Sequence, residues 1–505
     1  MRILNILFLM FTFNSYAQKE TSLNKKQWIE DIDFLVEKAQ QIVPDFNSKV
    51  DKIEFLNRVE QLKQNLETKS FEEIIFGMQY LLNSIEDEGC NIIPFQKKID
   101  IKVLPIKNYW FADGLFICDV SEDYKNLKGE QIIKINETEV HEVYTKLADY
   151  LNADNEYYKK YIFSAYSMMP SLLMAIGIGN STTEIHLQFA SGKEAILKAE
   201  SITEYVKLDR QLPNDEHFLS TNTSHKTKNY WFEYVLNTKT LFIQLQKIAN
   251  NDSGTSFSSF IDIIETEIKK GKINKIIIDV RYGGGGNGFK LKAFTDLLRD
   301  SETINKKGNL FVLTSNATRG TLLELVSILS LNTKAIIVGE PTGEGPNTVG
   351  DTKYIKLPNS GLSISLTHVF WPTSWNSDNR KTINPDVTIV YNFKQHTERQ
   401  DPWIDAALNF KSKIDTNKYI DKELSNKLIG SYKIEGRKVS IKREKGKLFM
   451  SMNRKMKSFF EIKTELYFYS EGKLATDIKD VFVNYSKNLN NKVDVTINWK
   501  GSLLK

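Results

Sequence analysis

Residues 275–288 read Lys-Ile-Ile-Ile-Asp-Val-Arg-Tyr-Gly-Gly-Gly-Gly-Asn-Gly, and this stretch decides the fold. Ile276 to Ile278 show no polar alternation, the pattern of a strand covered on both faces. Gly283 to Gly286 then supply a tight turn, and Phe289 to Leu298 has the apolar spacing of a helix. The flanks repeat the alternation. Leu241–Ile248 reads as a strand and Phe257–Ile268 as a helix; Leu310–Thr314 reads as a strand, Leu322–Leu331 as a helix and Ala335–Val338 as a strand. Strands alternating with helices predict parallel pairing through right-handed crossovers.

Outward from this core the texture changes on both sides. Residues 24–86 carry three amphipathic helical patterns, beginning with Trp28, Ile32, Leu35, Val36 and Ala39 and broken at Pro44. Residues 97–145 alternate like short strands, 155–180 read as helical, and 182–208 return to strands. Beyond Ala407 a lysine-rich link leads to a tail, Leu424 to Lys505, whose turns are Glu435-Gly436, Lys445-Gly446, Glu471-Gly472 and Asn490-Asn491. It predicts a small, separate β domain of barrel or sandwich type.

The first residues read as an export signal: Met1-Arg2, an apolar run from Ile3 to Phe13, and the small-residue site Ser15-Tyr16-Ala17 before Gln18. Nothing after it is long and apolar enough to span a bilayer. Over 505 residues a net charge of +5 gives no reason to expect nucleic acid as a partner. Two cysteines, Cys90 and Cys118, make no disulfide framework, and with six dispersed histidines they match no zinc spacing.

Gly283 to Gly288 satisfies G-x-G-x-x-G between a strand and a helix, the setting of a dinucleotide fingerprint. Against that reading, no second strand ends in an acidic residue about 20 positions on; Asp300 lies at the end of a helix instead. The better account joins several segments. Asp279-Val-Arg281 with Gly284-Gly-Gly-Asn287 resembles the Asp-Leu-Arg-x-Asn-x-Gly-Gly signature of the tail-specific (C-terminal-processing) serine peptidases, relatives of the tricorn core and the retinoid-binding repeats. Val338-Gly-Glu-Pro-Thr-Gly343, with Glu340 and Thr342, Leu357-Pro-Asn-Ser-Gly361 and Ile383-Asn-Pro-Asp-Val387 resemble its later landmarks in the same order. The resemblance covers about residues 24–410 and implies an α/β multi-domain chain with a crotonase-like (ClpP/crotonase) core. The expected division is a signal peptide at 1–17, an N-terminal helical domain at 18–95 and a degenerate PDZ-like mixed region at 96–208. The peptidase core follows at 209–412 and the C-terminal β domain at 416–505.

The resemblance also locates where chemistry belongs. The family's serine falls on Gly320, in the turn Thr314-Ser-Asn-Ala-Thr-Arg-Gly-Thr321, and the lysine of its dyad falls on Gly345. Relatives without that lysine use a histidine, and Cys90 in Glu86-Asp-Glu-Gly-Cys90 stands at that position. Glycine can neither attack a carbonyl nor accept a proton. Thr321 and Cys90 are candidates for a displaced nucleophile, though Thr321 also suits a helix cap or first turn. Ser315 and Thr318 share the corner. Glu344 could serve as a base beside Gly345, although an exposed loop carboxylate is usually only solvated, and His368 reads as a structural residue on a strand. Amides at Gly284, Gly285 and Thr321 remain as oxyanion or peptide-binding donors. The expectation is an exported, periplasmic or secreted pseudopeptidase that holds a polypeptide or a protein C-terminus. No metal and no cofactor is expected. The alternative is an active serine-type peptidase using Thr321 or Cys90.

Overall fold

The computed structural model describes residues 23–92, 101–209, 228–251, 254–375, 378–411, 420–452, 462–487 and 493–504. The signal-like segment and the Asn490-Asn491 turn lie outside these residues.

The central sheet has six strands in the order Val387–Thr388, Ile336–Gly339, Leu310–Thr314, Lys275–Asp279, Thr240–Leu245, Tyr230–Tyr234. All neighbours pair in parallel except the last, where Tyr230–Tyr234 runs antiparallel at the edge. The isoleucine run explains why it is covered on both sides. Ile276 and Ile278 point into one core, with Phe260, Leu298 and Val326 from the helices Phe257–Lys269, Leu291–Asp300 and Gly320–Asn332. Ile277 points the other way, into a second core with Phe311, Val338, Tyr391 and Trp403. Burying each such side chain contributes about 1.5–3 kcal/mol.

The N-terminal region is helical, with Lys25–Ile42, Lys52–Lys63 and Phe71–Asn83 as its main helices. It packs on a long hairpin, Asn347–Lys356 with Ser363–Pro372. Asp31, fully buried, accepts the amides of Asn359 and Ser360 at 2.8 and 2.9 Å, so the Leu357–Gly361 landmark is the turn pinned to the first helix. Asn91–Ile92 adds a third strand to this hairpin, opposite Ser365 and Ile364. Residues 106–198 form another antiparallel sheet, in the order Ile106–Phe111, Gly114–Val120, Gln131–Ile135, Glu184–Phe189, Glu194–Lys198.

Three expected elements differ, the first being the start of the tail, where Lys422–Leu428 is a helix capped by Asp421 and not strand. The stretch 182–208 ends in a short helix, Ile202–Lys207, not in strand. Ser201 with Glu204 three positions on is a helix-start composition that a search for alternation passes over. The corner helix begins at Gly320 rather than Leu322, because the Gly320 amide finds a side-chain acceptor.

The C-terminal β domain is an eight-stranded antiparallel meander, Gly430–Ile434 through Ser502–Leu504, with each strand beside the next. Alternation sends Val439 and Ile441 inward and Lys438 and Lys442 outward. Residues Glu435-Gly436 and Lys445-Gly446 are all left-handed, as tight two-residue hairpin turns require. The domain is fastened to the core. Leu331, near the end of the Gly320–Asn332 helix, and Trp375 belong to its apolar cluster, and Lys334 reaches Asp477 at 3.8 Å. The Trp499 indole donates to Ser374 Oγ at 3.2 Å. Among the described residues no helix is long and apolar enough to cross a membrane.

Candidate functional site

Two sets of buried polar contacts meet where the central strands end. The first is built on the signature residues. Arg281, fully buried, donates Nε to Asp279 Oδ1 at 3.0 Å and Nη2 to Asp279 Oδ2 at 2.8 Å. It also spans to Asp401, at 3.1 Å to Oδ1 and 2.9 Å to Oδ2. Asp401 in turn caps the Pro402–Leu408 helix through the amides of Trp403 and Ile404, both at 3.1 Å. The Trp403 indole lies over the guanidinium and donates to the Thr314 carbonyl at 2.9 Å. Asp279 and Arg281 therefore bind strand to helix beneath the site.

The Gly-Glu-Pro-Thr segment is equally fixed. Thr342 Oγ1 donates to the Glu344 carbonyl at 2.7 Å and accepts the Ile383 amide at 2.8 Å. Glu340 takes the Asn316 amide at 3.3 Å, and burial raises its carboxyl to about 7.

The second set surrounds the strand-to-helix corner. Gly320 has φ +56°, a left-handed backbone that non-glycine residues adopt at a cost of about 1–2 kcal/mol. A Cβ there would stand 2.9 Å from the Gly285 amide nitrogen. Of the donors expected from the loop, Gly284 gives its N–H to the Gln246 carbonyl at 3.1 Å, and Gly285 is the one facing the corner. Thr321 Oγ1 donates to the Gly286 carbonyl at 3.2 Å. The other hydroxyls of the turn are engaged too: Ser315 Oγ donates to the Arg281 carbonyl, and Thr318 Oγ1 to the Val280 carbonyl at 3.0 Å.

The structure brings the segments of Gly320, Gly345 and Cys90 together. Arg319 pairs with Glu88, two residues before Cys90. The Gly320 amide donates to Glu344 Oε2 at 2.8 Å. Glu344 was expected in solvent; it is 5% exposed. Burial, then the charges of Glu88 and Asp154, hold its carboxyl well above the ordinary range. Asp154 accepts the Glu88 amide at 3.3 Å and is raised by burial and by Asp87 and Glu88. A Cβ on Gly345 would overlap the Arg380 carbonyl oxygen, so this loop has no room for a longer side chain. Cys90 is fully buried with its Sγ 3.4 Å from Thr367 Oγ1, which donates to Asp87 Oδ2 at 2.7 Å. Burial and the nearby Asp87 charge push the thiol up to about 12. Cys90 and Cys118 are both free. His368 sits on the hairpin, with Nδ1 against the Asp351 carbonyl.

Sequence reading missed Glu88, Asp154 and Asp401. Asp401 before Pro402 is a legible helix start. Glu88 and Asp154 carry no local signal, because only the tertiary fold joins them.

No family model and no curated protein matches the sequence. Solved structures do. A mutant of CPAF matches at 12% identity, covering 77% of this chain and 99% of that one, with a TM-score of 0.55. Mature CPAF complexed with lactacystin matches at 11% identity over 76% and 97%, with a TM-score of 0.52. Mature CPAF alone gives 11%, 76%, 96% and 0.51. This chain has the tail-specific serine peptidase fold. In this chain the Gly320 corner is a sharp strand-to-helix turn whose first helical residue is left-handed and carries no side chain. Among the described residues no group of three or more His, Cys, Asp or Glu is arranged to hold a metal ion.

Proposed function

We propose that the protein is an exported pseudopeptidase that holds an extended polypeptide, or a protein C-terminus, beside the Gly320 corner without cutting it by serine chemistry. The central sheet then serves as a crotonase-like core, and residues 110–150 as a degenerate PDZ-like module. The observation that carries this reading is the corner itself. Its left-handed backbone and the Gly285 amide persist, while residue 320 has no side chain and the loop at 345 has no space for one. Donors alone supply a small part of a hydrolase's rate enhancement. The candidates for a displaced nucleophile are poorly placed: the Cys90 thiol stays protonated, and the Thr321 hydroxyl is given to a backbone carbonyl.

The test is to incubate the purified protein with a library of extended peptides, following affinity and new peptide termini together by mass spectrometry. Binding without cleavage is expected. Cleavage that disappears in Thr321→Ala or Cys90→Ala would establish the displaced-nucleophile enzyme instead, and no affinity for any peptide would remove the reading altogether. Export is tested separately, by whether the mature chain begins at Gln18.

A further inference from the structure

The corner helix carries a second feature, one turn beyond Gly320. Residues i and i+4 share a helix face, so Glu324 looks onto the same glycine loop. A Cβ on Gly288 would overlap the Glu324 carboxylate, which places that carboxylate against the loop's far end. Among the described residues Glu324 has no hydrogen-bond or ion-pair partner. Phe289, next along, is 55% exposed and packs edge-on against Trp371 of the hairpin, with ring centroids 5.6 Å apart. The Trp371 indole lies 3.2 Å from where a Cβ on Gly350 would stand, and Asp351 follows Gly350. Asp351 closes the ring: its charge is the one that acts on Glu324. Two carboxylates and two aromatic rings thus share one patch, with a left-handed residue, Asp351, at φ +52° on its rim.

A half-buried carboxylate facing a second carboxylate is electrostatically uncompensated, and burial with the Asp351 charge raises Glu324 to about 7. A cation would relieve both groups, and its alkyl stem and charge suit an aromatic wall.

We infer that Glu324, Asp351, Phe289 and Trp371 form a subsite for a lysine or arginine side chain of the bound polypeptide. The inference rests on the polypeptide-holding reading, and names which residue the groove selects. Charge complementarity fixes the occupant: the patch carries acids on both walls, and an acidic or aliphatic residue would leave Glu324 as unpaired as before.

The experiment compares extended peptides that differ at one position, lysine or arginine against norleucine or glutamine, by calorimetric titration at pH 8. N-acetyl-arginine amide and N-acetyl-norleucine amide serve as free probes. A basic residue is expected to tighten binding about tenfold, the size of one desolvated cation–aromatic contact with ion pairing. Glu324→Gln and Asp351→Asn are expected to abolish that preference, bringing basic and norleucine peptides to equal affinity, without lowering the melting temperature. Equal affinity for basic and norleucine peptides would overturn the subsite and leave the polypeptide-holding reading standing. If no peptide binds, that reading falls, and the free probes decide the subsite by themselves: preference for the arginine amide, lost in Glu324→Gln, upholds it, and no preference overturns it.

Discussion

The Asp279–Arg281–Asp401 lattice and the Gly320 corner adjoin on the same strand ends, yet they treat buried charge in opposite ways. In the lattice one guanidinium is matched to two carboxylates with four hydrogen bonds, and the two to Asp401 tie the strand end to the Pro402–Leu408 helix. At the corner Glu88 pairs with Arg319, Glu344 takes the Gly320 amide and Asp154 takes the Glu88 amide, and Glu344 and Asp154 are pushed toward the protonated form. The difference separates charges that secure the fold from charges that crowd a turn. Scaffold charges are paired because unpaired ones cost stability. The corner keeps its backbone shape without a side chain to exploit it.

Four experiments break or sharpen this contrast. Arg281→Met leaves Asp279 and Asp401 buried without a cation, and should destabilise the protein by about 3–5 kcal/mol in denaturant unfolding. A loss under about 1 kcal/mol would show that the lattice is not what secures the strand ends. Gly345→Lys sets a long side chain against the Arg380 carbonyl, and overpacking of that kind should cost about 1–3 kcal/mol. Gly320→Ser puts a side chain on a left-handed residue beside the Gly285 amide. It should cost about 1–2 kcal/mol and give no peptide cleavage, since the nearby carboxyl of Glu344 is engaged by the residue 320 amide and held toward its protonated form. Measurable turnover in that single variant would mean that a proton acceptor survives at the corner.

The smallest effect concerns pH. The Glu344 carboxyl titrates above its ordinary value in the folded state, so the native protein holds a proton that the unfolded chain has already lost. Stability contributed by that proton is present below the ordinary carboxylate range and falls as pH rises through the folded value. Glu344→Gln keeps an acceptor for the Gly320 amide and removes the decline. The variant should gain more in melting temperature over wild type at pH 8 than at pH 5, and an equal gain at both would contradict the raised carboxyl.

Much of the fold was legible because its signals are local. The isoleucine run, the glycine turn and the helical spacing of 257–268 each report their own segment, and the tail's glycine turns mark hairpins whatever surrounds them. The segments of residues 320, 345 and 90, which motif spacing singles out, do lie together. What could not be read was the meeting of distant segments. Glu344 looks solvated in sequence because it sits among Gly, Pro and Thr, and only the approach of residues 86–90 and 154 buries it. Glu324 has the same history: its i+4 spacing from Gly320 was on the page, but the carboxylate against Gly288 and the charge from Asp351 belong to the hairpin's placement. The helix Ile202–Lys207 escaped for a smaller reason, a start signal too short to compete with the strand pattern before it.

The Gly320–Asn332 helix has its first amide on Glu344 and its last turn in the apolar interior of the C-terminal domain. At 1.5 Å per residue it is a rod about 20 Å long. Leu331 and Lys334 grip one end while the corner grips the other, so a tilt of the terminal domain is carried axially to the turn that faces the glycine loop. An appendage remote in sequence from the corner is thereby joined to it through a single helix.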